Sequence, residues 1–209
     1  MSSTANPSSR NNNNLPIKLM NQEKERWCWA ACILMIVNYL SNSFNRGDVD
    51  NNTQRITRQC ELVHLLYDRN PINGFFRKIF GPKCCSSHIK GEDCNYWCQL
   101  DDFTYLYNKY NITCTLRTSE NSDDSKLTFS DIRKEIDHLR PIQIGYMDSR
   151  KNGHVVIIRG YEISNKEEFV RVNDPSSQKG SGFLRYKTLS HYSDNQDLIW
   201  KYTWQFETK

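Results

Sequence analysis

One stretch constrains this chain more than any other. Residues 27–40 read WCWAACILMIVNYL, apolar on every side, with Asn38 the one clearly polar residue. A surface helix keeps a polar stripe, so a segment without one must be covered all round by the rest of its domain. A central buried helix over about 28–40 is therefore predicted. Its longest apolar run, residues 27–37, falls short of the roughly 18 to 20 residues that cross a bilayer, and no membrane insertion is expected. A chain of 209 residues that is 37% hydrophobic and 25% charged can supply the cover within one domain, and it is not collagen-like, coiled-coil or wholly disordered.

The remaining periodicity places the other elements. NTQRITRQCELVHLLYD, residues 52–68, carries Ile56, Cys60, Val63 and Leu66 or Tyr67 at helical intervals, and should pack one face on the first helix. Helices are also predicted over 99–110, with Leu100, Phe103, Leu106 and Tyr107 on one face, and over 130–139, with Ile132, Ile136 and Leu139, ending before Pro141. Beyond Pro141 the pattern turns extended: PIQIGYM, HVVIIRGYEI, EFVRVNDP, GFLRYKTL and LIWKYTWQF are strand-length and rich in β-branched or aromatic residues. The fold class is thus α+β, helices first and an antiparallel sheet after. The opening MSSTANPSSRNNNN has no apolar segment; it reads as a disordered tail and is no secretory signal as written. The division expected is a tail over 1–20 and one domain over 21–209, helical to about 140 and β from about 141.

Charge excludes one class of partner. Twenty-eight Lys plus Arg against 24 Asp plus Glu gives +4, and the basic residues are scattered rather than gathered along a phosphate-tracking stripe, so no nucleic acid is expected. Residues 70–98 have no sustained period and are rich in Gly, Pro, Ser and Cys, an irregular excursion that needs a staple to stay ordered.

The chemistry begins at Cys28. The start of a buried helix offers free N–H groups and the positive end of the macrodipole, which favour a thiolate nucleophile. Cys32, one turn deeper, reads as inert core. A nucleophilic thiol needs a base. Of the five histidines, His154 in KNGHVVIIRGYE stands at the start of a strong strand, where its ring can face a cleft, whereas His64, His88, His138 and His191 lack such a setting. A third group must orient that base, and VRVNDP at the end of the next strand offers Asn173 and Asp174, with Pro175 fixing the exit. The developing oxyanion needs donors, which the Cys28 N–H and the Gln22 side-chain amide, six residues upstream, can supply.

Gln22, then Cys28 in W-C-W-A-A, then G-H-V-V at His154, then V-N-D-P at Asp174, in that order, resemble the papain-like cysteine peptidases. The resemblance is nearest to the bacterial branch that includes type III effector proteases of plant pathogens and the peptidase domains of bacteriocin exporters. It spans the chain from about residue 21 onward. It implies Cys28 as nucleophile, His154 as base, Gln22 as oxyanion donor and Asp174 as the orienting group, with Asn173 in reserve because larger papain relatives use an Asn there. It also implies a helical lobe and a sheet lobe with the substrate cleft between them. A Cys in the second helix, a Cys-Cys pair in the following loop and a Cys before the third helix match that branch, here Cys60, Cys84, Cys85 and Cys94, and suggest two local disulfide bridges. Cys98 fits the pattern less well and leaves zinc held by four of Cys84, Cys85, His88, Cys94 and Cys98 as the competing arrangement.

The function expected is a thiol endopeptidase acting on a protein or peptide substrate as a monomer, with no cofactor and no resident metal. Two alternatives stand beside it: a glutamine deamidase or transglutaminase on the same fold, and a non-catalytic peptide-binding module. Eight cysteines together with the resemblance favour secretion or translocation into a target cell, although cytoplasmic residence also fits such an N-terminus. Phe75, Phe76, Trp97 and Tyr146 are the aromatic candidates for the cleft wall.

Overall fold

In a computed structural model that describes residues 11–44, 57–69, 84–85, 94–118, 126–192 and 195–207, the apolar stretch forms helix α1 (Cys28–Phe44). Every residue from 27 to 37 is buried, as its lack of a polar face requires. Helix α2 (Gln59–Arg69) and helix α3 (Leu100–Lys109) pack on it, α3 through Phe103, Leu106 and Tyr107 at one-turn spacing. Helix α4 (Phe129–Asp137) starts at a capping box: Thr128 Oγ1 accepts from the Asp131 N–H at 3.1 Å, and Asp131 Oδ2 accepts from the Thr128 N–H at 3.1 Å. It buries Phe129, Ile132 and Ile136. The helix expected over 52–68 begins at Gln59, after the described and non-helical Thr57 and Arg58; residues 52–56, Phe75, Phe76 and His88 lie outside the described residues.

Eight strands among the described residues form one antiparallel sheet: β1 (Asn12–Asn14), β2 (Cys114–Thr118), β3 (Ile142–Met147), β4 (Gly153–Ser164), β5 (Glu167–Asp174), β6 (Gly180–Arg185), β7 (His191–Tyr192) and β8 (Asn195–Phe206). The order is β2-β8-β3-β4-β5-β6, with β1 on β4 and β7 on β8. Strands β4 and β5 join through a two-residue turn at Asn165 and Lys166, both at positive φ (52° and 65°), the geometry that matches the twist of a tight hairpin. Their register, Ile157 opposite Asn173, sets the start of β4 beside the end of β5. One core unites the helices with the inner face of the sheet, so the α+β class holds.

Two expectations need correction. Residues 11–20 are no part of a disordered tail: β1 pairs with residues 160–162 of β4, and Leu15 and Ile17 are buried. Composition hid this because the strand consists of three asparagines whose backbone pairs. One of their side chains reaches Asp137, its Nδ2 donating to Oδ1 at 3.0 Å from Asn13. Gly160 permits the approach, since a Cβ there would lie 2.6 Å from the Asn13 carbonyl oxygen. The division at about residue 140 is also not clean, because β1 and β2 come from the first part of the chain and complete the sheet. A smaller difference lies in GFLRYKTL, which forms β6 and then a 3-10 turn (Tyr186–Thr188) rather than one strand.

Candidate active site

Cys28 is the first residue of α1. The helix begins bonding with the Ala31 N–H donating to the Trp27 carbonyl at 3.0 Å. The first-turn N–H groups therefore point out of the helix end, and no acidic residue occupies that turn. The two tryptophans around Cys28 act as anchors. Trp27 Nε1 donates to the Cys94 carbonyl at 2.8 Å and Trp29 Nε1 to the Tyr96 carbonyl at 3.0 Å, while the Arg26 N–H donates to Asn95 Oδ1 at 2.9 Å. The segment after Cys94 is thereby laid against the start of α1.

That segment is itself stapled. Disulfides join Cys60 to Cys85 and Cys84 to Cys94, tying it to α2. They consume three of the five side chains offered to zinc, which removes the four-ligand arrangement. Cys98 takes part in neither disulfide, nor do Cys28, Cys32 and Cys114.

His154 stands at the start of β4, held by the β3–β4 loop. In that loop Asp148 accepts from the Asn152 backbone and side chain at 2.8 and 2.9 Å, and Lys151 adopts φ 65°. His154 Nε2 lies 2.8 Å from Asp174 Oδ1. The Cys28 side chain is the other group that acts on this ring, through its proximity and its charge. Burial alone would lower the basicity of this imidazole. Its bond to Asp174 and the proximity of Cys28, with the negative charge of both, outweigh that and hold it up to about 9. Asp174 behaves conversely: burial would raise its carboxyl, yet His154, the Ser176 N–H at 2.9 Å and the Tyr192 hydroxyl at 2.7 Å keep it below the usual carboxylate range.

Of the two candidates at the end of β5, Asp174 faces His154 and Asn173 does not. Neighbouring residues of a strand point to opposite faces. Asn173 is buried on the other side, donating to the Ile17 carbonyl at 3.0 Å and accepting from Arg159 Nε at 2.7 Å. Cys32 is fully buried, its Sγ 3.4 Å from the Val155 carbonyl, and burial, then the charges of Cys28 and Asp174, push its thiol well up. It is core, as its position one turn inside α1 indicated.

Gln22 is placed differently from the other three. Its backbone N–H donates to the Pro175 carbonyl at 2.8 Å, tying the approach to Cys28 onto the end of β5. Its Nε2 donates to the carbonyls of Lys24 at 3.0 Å and Glu25 at 2.6 Å, inside the loop that delivers Cys28. To meet an oxyanion, the amide must exchange one of these carbonyls for it.

Cys28 and His154 open onto a cavity of about 280 Å³, near the small end of ligand pockets. Trp29, Trp97, Leu100, Tyr146, Met147 and Trp204 are among its walls. Trp97 and Tyr146 are two of the four aromatic candidates among which the sequence did not choose. Trp204 was not among the four, although Tyr202 and Trp204 alternate along β8 as residues of one strand face do, and both line the cavity. Tyr192, in contact with both Asp174 and His154, was missed altogether, and nothing in LSHYSDNQ marks it.

No curated protein matches the chain. The model of the Peptidase_C39 like family matches residues 14–205, which takes in all four candidate positions and both halves of the fold. The chain therefore belongs to the Peptidase_C39 like family and is a cysteine peptidase.

Proposed function

We propose that the protein is an endopeptidase that cleaves protein substrates through an acyl-enzyme on Cys28. The observation that carries this is His154 held by Asp174 at 2.8 Å through Nε2 while it lines, together with Cys28, one largely apolar cavity. In acylation the Cys28 sulfur, as thiolate, attacks the scissile carbonyl carbon, and the negative charge moves to the carbonyl oxygen. The Cys28 N–H and, after it swings, the Gln22 amide stabilise that oxygen. As the C–N bond breaks, imidazolium His154 gives its proton to the leaving amine, and a thioester remains. His154, now neutral, takes a proton from water; the hydroxide adds to the thioester, and collapse releases the carboxylic acid and restores Cys28. Asp174 keeps the imidazole oriented throughout.

The cleft supports substrates that place a large apolar side chain beside the scissile bond, since its walls are mostly aromatic and aliphatic. Two disulfides suit an oxidising compartment, which supports secretion over action inside a reducing cytosol. The test is incubation of wild type and Cys28→Ala with a complex protein mixture, reading new N-termini and side-chain mass changes by mass spectrometry. New termini from wild type alone are expected, with the variant down by on the order of a thousandfold or more. Side-chain conversion without cutting would move the assignment to a deamidase or transglutaminase. Equal cleavage by Cys28→Ala would falsify the nucleophile.

A further inference from the structure

The Asp174 carboxylate has two oxygens, and the reaction above uses one. The second, Oδ2, accepts the Tyr192 hydroxyl at 2.7 Å, and the Tyr192 ring lies 4.5 Å from the His154 ring, centroid to centroid, tilted by 54°. Tyr192 is itself held from behind. Its ring meets Tyr146 at 5.4 Å, and the Tyr146 hydroxyl donates to the Leu189 carbonyl at 3.1 Å, fixing the chain just before β7. Tyr146 is also the cross-strand partner of His154, so the three rings and the carboxylate form one packed group.

We infer that Tyr192 is a positioning residue for the His154–Asp174 pair, with its hydroxyl locking the carboxylate so that Oδ1 faces Nε2 and its ring keeping water off the imidazole. A carboxylate held only through the Ser176 N–H and His154 can rotate about its terminal torsion, which is broad and soft. A donor on the far oxygen removes that freedom. The same donor disperses the carboxylate charge, so the pull on the imidazolium is moderated while the geometry is fixed. The groups facing His154 are Cys28 from α1, Asp174 from β5, Tyr146 from β3, Tyr192 from β7 and Lys151 from the adjoining loop, which lines the same cleft.

The inference rests on the peptidase reading for its kinetic arm only. In Tyr192→Phe the ring stays and the lock is lost. The NMR titration of His154 should move to higher pH, because Asp174 then concentrates its charge on Oδ1, and kcat should fall about tenfold with KM unchanged, the size of one charge-assisted hydrogen bond. Tyr192→Leu removes the wall as well, and kcat should fall further than in Tyr192→Phe. A folded Tyr192→Phe with an unmoved His154 titration overturns the proposal, and so does a change confined to KM. A measurement on wild type alone guards against variants that fail to fold. The Tyr192 hydroxyl proton should exchange slowly with solvent at neutral pH, and free exchange overturns the lock. Should the chain cut no peptide at all, the titration and the exchange still decide the role of Tyr192, while the peptidase reading falls separately.

Discussion

At the scale of single residues, Asp174 governs the site. It accepts three hydrogen bonds, from His154, Ser176 and Tyr192, and its charge helps keep His154 protonated well above the ordinary imidazole range. The raised His154 contributes stability that is complete below about 6.5, its unperturbed value, and is lost as pH rises through about 9. The lowered Asp174 contributes stability present above about 3.9 and lost as pH falls through its depressed value. Between those limits both charges are in place, and the acylation proposed above needs the imidazolium as its acid. The pH profile of kcat/KM should therefore have an alkaline limb near 9. Asp174→Asn keeps the shape but removes the charge, so the limb should move to lower pH and the plateau should drop by about a hundredfold or more, since the base loses its orienting partner. Measuring the profile for both proteins checks this, and an unshifted limb would show that Asp174 does not act on His154. Much of this was legible in sequence, because a thiol at a helix start and a histidine at a strand start are local patterns. The choice between Asp174 and Asn173 needed the facing of β5, and Tyr192 lies on a short strand whose contacts are all long-range.

At the scale of elements, the approach to Cys28 is built from a helix start and a stapled segment that do not stand independently. Trp27 and Trp29 donate to carbonyls at 94 and 96, Trp97 then forms a wall of the cleft, and the disulfides hold the whole segment to α2. The bridges close sequence separations of 25 and 10 residues. In the chain-entropy account each is worth about 2 to 4 kcal/mol. Cys60→Ser with Cys85→Ser should thus lower stability by about that amount in urea unfolding, and should raise KM more than it lowers kcat, since the wall loosens while Cys28, His154 and Asp174 stay in place. An unchanged KM would show that the staple does not shape the cleft. The buried helix α1 was readable because a stretch without a polar face has one solution. In the Cys-rich segment the resemblance named the four cysteines of the two bridges, but the path of the segment was not readable, since it rests on indole bonds nearly 70 residues apart in sequence, as Trp27 to Cys94 illustrates (separation 67), and these leave no period to read.

At the scale of the whole molecule, residues 11–23 act as a strap across the functional parts. The Ile163 N–H donates to the Asn11 carbonyl at 2.7 Å, and the Leu15 N–H to the Arg159 carbonyl at 2.7 Å. Arg159 is the extra residue of a bulge in β4, where pairing steps from Ile158–Val172 to Gly160–Arg171, and its side chain reaches Asn14, Asn173 and Ser181. Farther on, the Ile17 carbonyl accepts from Asn173, the Gln22 N–H donates to the Pro175 carbonyl, and Gln59 of α2 bonds both the Asn21 carbonyl and the Glu23 N–H. The strap thus touches β4, both neighbours of Asp174 and α2 before it enters α1 at Cys28. Leu15 and Ile17 are its two buried side chains, at 1% and 5% exposure. Truncating a buried Leu or Ile to Ala costs about 2 to 5 kcal/mol. The pair together amounts to a large share of the roughly 5 to 15 kcal/mol that holds a domain folded. Leu15→Ala with Ile17→Ala should therefore shift the urea midpoint strongly downward. Under conditions where the variant remains folded, it should also lose activity beyond its loss of folded protein, because Asn173 and Pro175 lose the backing that fixes Asp174. Asn12→Ala, at an exposed position of β1, is the control and should do neither. If the double variant unfolds at the wild-type midpoint, the strap is only surface cover, and the geometry of Asp174 rests on the sheet alone.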